Sequence, residues 1–576
     1  MSKVLTPRKG RFSLRFTLSL CGSLFFLASW LIPNHYPPWV GFHNEALMFS
    51  ALLMFCAHAV TFSNSVRLPQ STLLIFTSLI LIIVFQWIGG LIFYGGDALV
   101  SCIFVAGFAL SWWLGAHNVL VLRRPEIAVA VAAWLIVSAA CVSSLLAILQ
   151  WLSLEQGLLF FVAERGSNRP YANLAQPNLL ATLLVMGVVF VDLLYLRKMI
   201  TTWQVLVILI FLSFGLVVTE SRAGLLSTFC IGFFSIMRVR PSWKVNAWRS
   251  VAVWWGVLIT LIGFWGPLNE ILLLRSPRQS DIAVDNVRMV IWEQVIVGIL
   301  QAPWLGYGWR QTVMAQKFGA EGVPGNFPTD YAHSIVLDLL AWVGLPVGLL
   351  LLSIGFWWIW RTIANIKDST EFLLVLATIP VLVHSLVEFP FAYAYFLFPT
   401  AWIFGFLHAS QFPLGFRVRT PTPISTRITW PAILLLFGIL CGQIVAEYFE
   451  AEEDFRVMRF EMRNLGSRSA TYEAPQLRLL TQLDDLLKMG RVIPTRHMSA
   501  AEIEALRKAN LSKHWGALNL KYAIALGLNG RPEEAKIELR IIESLYGPTE
   551  FHSALVELRA LQDEKYPELS QIKLDR

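Results

Sequence analysis

"YAHSIVLDLLAWVGLPVGLLLL", running from Tyr331 to Leu352, decides the fold class. Its apolar part is long enough to cross a bilayer as a helix, and a histidine, His333, stands at its lip. An ionisable ring inside hydrocarbon is costly, so its position relative to the membrane surface matters. What His333 does then depends on which other residues share that surface.

The rest of the chain has the same character. It is 576 residues long, 56% hydrophobic and only 15% charged, with a mean hydropathy of +0.59; a soluble domain carries about 25% charge. Many of its 23 tryptophans lie near the ends of apolar runs, as interfacial anchors do. The chain therefore reads as an all-α, polytopic membrane protein, with membrane lipids as neighbours and no nucleic acid expected as a partner. All six cysteines lie inside apolar runs, which suggests neither a disulfide framework nor a thiolate metal site. Basic residues precede the run Phe16–Ile32, but no small-residue cleavage site follows, so a retained first helix is expected.

Apolar stretches of membrane-spanning length number about thirteen. Their centres fall near Phe25, Met54, Leu81, Gly107, Leu135, Val185, Ile208, Ile231, Leu258, Leu349, Leu376, Trp402 and Leu436. With the N-terminus in the cytoplasm, the inner loops hold Arg67, Arg123/Arg124, Arg197/Lys198, Arg238/Arg240/Lys244/Arg249, Arg361/Lys367 and Arg417/Arg419/Arg427. That alternation satisfies the positive-inside rule. It places a long loop, 267–332, and the C-terminal region on the outer side. The expected division is a transmembrane domain over 1–449 and a helical domain on the outer side over 450–576. Within the latter, "HWGALNLKYAIALGLNGRPEEAKIELRIIESLYG" (His514–Gly547) reads as a helix, an Asn529-Gly530 stop and a helix from about Pro532. The hairpin is tetratricopeptide-like, but no second copy follows at that period; a small helical bundle fits equally.

Arginine is disfavoured in short outer loops, so those that occur there need a reason. Arg222 lies in the tight hairpin "TESRAG". Arg288 shares a helical face with Trp292 and Val295 in "DNVRMVIWEQVIVGIL" after the helix-start residues Asp281 and Asp285, and that segment is able to lie in the interface. Arg169 and Gln176 lie in "SNRPYANLAQPNLLA". His384 and Glu388, one turn apart, close another span in "VHSLVEFPFAYAYF", with Tyr393 and Tyr395 just beyond. All fall on the face of His333. Arginines that bind phosphate oxygens bidentately, with a histidine able to take a hydroxyl proton, fit attack of a hydroxyl on a carbon bearing a pyrophosphate leaving group. No P-loop, Asp-x-Asp pair, H-E-x-x-H or G-x-S-x-G motif occurs, so neither ATP, a catalytic metal nor any other cofactor is expected, and the substrate arrives activated. Plainer readings stand beside this one. His333 also reads as a helix cap, the arginines as lipid-headgroup contacts, and His384/Glu388 as an interhelical polar pair. The two tyrosines also read as an aromatic belt and Gln176 as a cap.

"SRAG", Arg288-x-x-x-Trp292 followed by "PWLGYG", and His333 opening a span with Leu337 beyond it resemble, in this order, the O-antigen ligase/polymerase superfamily. More narrowly, "IPNHYPPWVGFHNE", "YANLAQPNLLA" and "HSLVEFPFAYAYFL" resemble bacterial protein O-oligosaccharyltransferases of the PglL pilin-glycosylation type. The resemblance implies an inner-membrane glycosyltransferase, metal-independent and active in the periplasm. It would move a preassembled oligosaccharide from undecaprenyl pyrophosphate to Ser/Thr hydroxyls of an exported, pilin-like protein. It assigns Arg222 and Arg288 to the pyrophosphate and His333 to the acceptor hydroxyl. Gln176 and Tyr393, with Arg169 and Glu388, would line the site. Ser334 stands where the family often has Asn. Asparagine-linked transferases need a W-W-D signature, and neither Trp112-Trp113 nor Trp254-Trp255 is followed by Asp. The alternatives are an O-antigen ligase acting on lipid A core and, as a non-enzyme, a lipid-linked-sugar flippase.

Overall fold

The computed structural model describes residues 9–60, 65–158, 160–164, 169–238, 247–274, 284–419, 424–463, 465 and 472–573. Lys3, Arg8, Arg240, Lys244 and Asp281, used in the topology and helix-start readings, lie outside the described residues. Among the described residues the chain is helical apart from one antiparallel ladder, Ser65–Arg67 with Arg417–Arg419. In order the helices are α1 (Lys9–Leu31), α2 (Phe42–Val60), α3 (Gln70–Ile88), α4 (Gly95–Val121), α5 (Pro125–Trp151), α6 (Pro177–Leu196), α7 (Thr202–Val218), α8 (Arg222–Arg238), α9 (Ala247–Ile271) and α10 (Val284–Gln301). Then come α11 (Thr312–Ala320), α12 (Ile335–Ala364), α13 (Ser369–Ser385), α14 (Ala394–Gln411), α15 (Ile424–Met462), α16 (Thr481–Arg491), α17 (Ala500–Ser512), α18 (Gly516–Leu528) and α19 (Pro532–Glu564).

The centres of all thirteen expected segments fall in helices, α1–α9 and α12–α15. Eight of these, α1, α3, α4, α5, α6, α9, α12 and α15, are long and apolar enough to cross a membrane. α7 and α13 are apolar but shorter. The protein is thus a multi-pass helical membrane protein.

The chain forms two compact units. The first holds residues 1–77, 104–279 and 356–442; the second holds 78–103, 280–355 and 443–576. α6 is the core helix of the first unit, packed by α5, α7, α8 and α13. Apart from Asn178, Thr182 and Asp192 it is apolar on every face, as an enclosed helix is, and Leu180, Leu183, Leu184, Val185 and Met186 are wholly buried. Small residues let its neighbours close in. A Cβ on Gly187 would stand 2.8 Å from the Ala140 methyl of α5, the kind of approach that stabilises helix pairs in lipid.

In the second unit α12 is broken at Gly344, whose φ of 76° is left-handed. Two residues on, Pro346 has no N–H to give the Trp342 carbonyl one turn back. Gly308 N–H (3.0 Å) and the Gln86 amide (2.8 Å) fill that place. Leu345 N–H turns to the Pro303 carbonyl (2.7 Å), and Tyr307 N–H takes the freed Ala341 carbonyl (2.8 Å). The "PWLGYG" stretch therefore satisfies a helix break that "VGLP" creates, as buried backbone polar groups require. The C-terminal helices α16–α19 surround Leu506, Leu520, Ala523, Leu526, Leu539 and Ile542. α18 and α19 form the expected hairpin, with Gly530 at φ 77° in its turn; α19 is itself broken at Gly547.

Candidate active site

The second unit carries His333 and Arg288. His333 stands two residues before α12 and is half-buried, with φ 53°. A non-glycine residue there costs on the order of 1–3 kcal/mol and persists only where its surroundings hold it. The hold falls on the preceding peptide. The Trp292 indole N–H donates to the Ala332 carbonyl at 2.9 Å, and the Ala332 N–H donates to buried Asp338 at 2.9 Å. Asp338 also accepts the Thr312 hydroxyl at 2.6 Å, and Thr312 accepts the Trp342 indole N–H at 2.8 Å. Upstream, the Gln316 amide spans the same loop. Its Nε2 donates to the Phe327 carbonyl and to Gln294, both at 2.8 Å, and its Oε1 accepts Thr329 N–H at 3.0 Å. Thr329 then bonds the Tyr331 carbonyl at 2.9 Å.

The spacing of Arg288 and Trp292 now has a local reason. Four residues apart on α10, they lie on one face; Trp292 fixes the His333 loop, and Arg288, half-buried, precedes it by a turn. Val295, the third residue of that face, is wholly buried. Ser334, in place of the family's Asn, is buried and gives its carbonyl to Asp338 N–H at 2.9 Å.

The first unit carries Arg222, Arg169, Gln176, Glu388 and Tyr393. Ser221 caps α8 by accepting Gly224 N–H at 3.1 Å, which leaves Arg222 as the first helical residue. The Ser221 hydroxyl donates to Asn178 Oδ1 at 2.7 Å. The same oxygen accepts from Arg169 at 3.3 Å, while Arg169 Nε reaches the Thr219 carbonyl at 2.9 Å. Asn178 Nδ2 donates to Glu388 at 3.2 Å, and Thr182 Oγ1 lies 2.7 Å from His384 Nδ1. One polar cluster thus joins the starts of α6 and α8 to the end of α13. Arg169 and Glu388 meet in it through Asn178, a residue the sequence reading passed over. α13 ends at Ser385, so Glu388 lies beyond the helix and not one helical turn above His384.

Gln176 is the residue before α6 and makes no side-chain cap bond. Tyr393, just before α14, stacks on Tyr395 at 5.2 Å, and Tyr395 is buried against Trp30; it is a core residue, not part of a belt. The loop before Gln176 is held by Gln150 of α5, which accepts Tyr171 and Ala172 N–H at 3.0 and 2.7 Å. His35 holds the Asn173 carbonyl at 2.8 Å, so two of the resembling motifs touch. Nothing in local spacing announces Gln294, Gln316 or Asp338, because their partners lie on other segments of the chain: Val323, Phe327 and Thr329 for the two glutamines, and Thr312 and Ala332 for Asp338.

Comparison with known proteins bears on both units. Residues 205–352 match the family described as O-Antigen ligase, 170–191 the family described as Protein glycosylation ligase, and 372–560 the one described as Virulence factor membrane-bound polymerase, C-terminal. The chain is 27% identical over 550 residues to a General O-oligosaccharyltransferase of Acinetobacter baylyi, covering 92% of this chain and 93% of that protein. It is 26% identical over 395 residues to a ComP-specific O-oligosaccharyltransferase of the same organism, covering 68% and 71%. These matches make the chain similar to O-antigen ligases over 205–352. Over nearly its whole length it is similar to a protein O-oligosaccharyltransferase, and the glycosylation-ligase match falls on the Pro170–Asn178 loop and α6.

Proposed function

We propose that this glycosyltransferase moves a preassembled oligosaccharide from undecaprenyl pyrophosphate to Ser/Thr hydroxyls of exported proteins such as pilin. The acceptor oxygen attacks the anomeric carbon, the bond from that carbon to the pyrophosphate oxygen breaks, and the polyprenyl pyrophosphate leaves with the electron pair. His333 takes the hydroxyl proton. Arg288 and Arg222 stabilise the charge that grows on the leaving group; Gln176, Tyr393, Arg169 and Glu388 serve substrate binding. The reaction needs no metal. The protein sits in the inner membrane with thirteen spans. Its catalytic face and the region 450–576 lie in the periplasm.

One observation carries this reading: Ala332, the residue before His333, is gripped at both its N–H and its carbonyl, which fixes where the His333 side chain begins. The test is purified protein with lipid-linked oligosaccharide and acceptor in detergent, read by acceptor mass. A glycan-sized mass gain on Ser or Thr, unaffected by chelator, is expected. Glycan appearing on lipid A core and not on protein would make the chain an O-antigen ligase; movement of donor across vesicles with no product would make it a flippase.

A further inference from the structure

The first unit holds a second feature at the other end of α5 from Gln150 and the Asn178 cluster. It is a cavity of about 870 Å³ between α1, α2, α4, α5 and α14. On α5 the lining runs from Arg124 to Ile136; fourteen residues of helix, roughly 21 Å of rise, separate its near end from Gln150, and its basic end lies farther still. Its walls are apolar, with Phe26, Leu52, Leu114, Leu135 and Phe398 among them. Apolar cavities of ~150 Å³ already take up small hydrocarbons, and this one is several times larger. On α5 the lining residues Ile127 and Val131 are 55% and 41% exposed, so the cavity has a flank on the outer surface of the unit.

The end of the cavity at the α4–α5 turn is polar and basic. Arg123 and Arg124, both exposed, line it with Asn118 and His58. None of the lining residues is acidic. His117 also lines it and is 1% exposed. Neither of its ring nitrogens has a hydrogen-bond partner among the described residues, although its ring lies 5.0 Å from that of Trp113. A buried imidazole without a partner costs free energy comparable to a lost hydrogen bond, so its persistence in a cavity wall points to a polar atom brought by a ligand.

A long apolar slot, a lateral flank, an unpartnered donor and two arginines at one end describe an amphiphile with an acyl chain and an anionic phosphate head. We propose that this cavity binds one anionic phospholipid, its chain between α5 and α14 and its phosphate at Arg123 and Arg124, with His117 donating to an ester oxygen just below. Two guanidinium groups distinguish it from a zwitterionic lipid, since each basic residue near an anionic headgroup is worth about fivefold in binding.

The test uses the delipidated full chain in detergent, with dioleoyl phosphatidylglycerol as probe and retained lipid counted by native mass spectrometry. One phosphatidylglycerol per chain is expected, held well above phosphatidylcholine of the same chains. The double variant Arg123→Ala/Arg124→Ala, altered only at exposed positions, should weaken retention about thirty-fold. Ala132→Phe, which fills the slot from α5, should abolish it. Equal retention of the two lipids, or undiminished retention in either variant, would overturn the proposal. Displacement by millimolar inorganic phosphate would also overturn it, because the site would then be one for a free anion.

Discussion

The cluster around Asn178 and the loop before His333 are held in opposite ways. At the starts of α6 and α8, side chain holds side chain: Ser221, Arg169 and Glu388 all converge on Asn178. Before α12, side chains hold backbone: Trp292 and Asp338 grip the Ala332 peptide. A shared polar network fixes the shape of its members and is costly to leave half satisfied. A gripped backbone fixes where the next side chain begins. The comparison separates a scaffold from a placed reagent, and variants can break it.

The largest effect belongs to His333. His333→Ala should lower transfer on the order of 100- to 10,000-fold, the usual loss on removing a general base, while donor binding persists. Near wild-type transfer would reduce His333 to a polar residue at the end of its helix. Next come Arg222→Lys and Arg288→Lys, which keep charge and lose the bidentate fork. Each should cost roughly ten- to a hundredfold in transfer, the worth of a hydrogen bond to a charged group. Full activity in both would make them contacts to lipid headgroups.

The sharpest test of the contrast pairs one variant from each unit. Trp292→Phe keeps the ring and removes the bond to the Ala332 carbonyl. Transfer should fall several-fold, with the pH profile of the residual activity unchanged and the melting temperature nearly so. Asn178→Leu removes the acceptor of the Ser221 hydroxyl and a donor to Glu388 and should lower stability by about 1–3 kcal/mol, seen as a lower melting temperature. If Trp292→Phe melts early and Asn178→Leu does not, the division between scaffold and placed reagent is wrong.

Much of this was legible in the sequence, for physical reasons. Period and length of apolar runs put a helix at each of the thirteen centres, because a chain in lipid has few other ways to satisfy its backbone. Asn529-Gly530 announced the α18–α19 turn because glycine tolerates its left-handed angle. Arg288-x-x-x-Trp292 was legible as a helical face, though not as a grip on residue 332. The rest hid in breaks. Gly344 and Pro346 stand in plain view, but which donors replace the lost hydrogen bond depends on residues 86 and 303–308, far away in sequence. Asn178 hid behind its neighbour: Gln176 precedes a helix and reads as a cap, yet the side chain that joins three helices is two residues on.

The smallest effect concerns how the second unit buries a charge. Lys317 of α11 is 1% exposed. Its ammonium donates to Asn510 Oδ1 at 2.9 Å and Asn519 Oδ1 at 3.1 Å, and both amides turn their Nδ2 to Glu538, at 3.0 and 3.3 Å. Burial brings Lys317 down to about 7 against the opposing pull of Glu538 and Asp330, and burial raises Glu538. In the unfolded chain the lysine titrates near 10.5. Between about 7 and 10.5 the unfolded state therefore binds more protons than the folded one, and this residue makes stability rise with pH across that window. Lys317→Met removes that contribution and takes the ammonium donor from the Asn510 and Asn519 amide oxygens, so it should melt lower at pH 7.5. Its deficit relative to wild type should then widen at pH 9.5, because only the wild type gains stability as Lys317 loses its proton. Melting curves of both proteins at the two pH values decide it: parallel shifts would mean that Lys317 titrates as an ordinary lysine and that its burial carries no pH dependence.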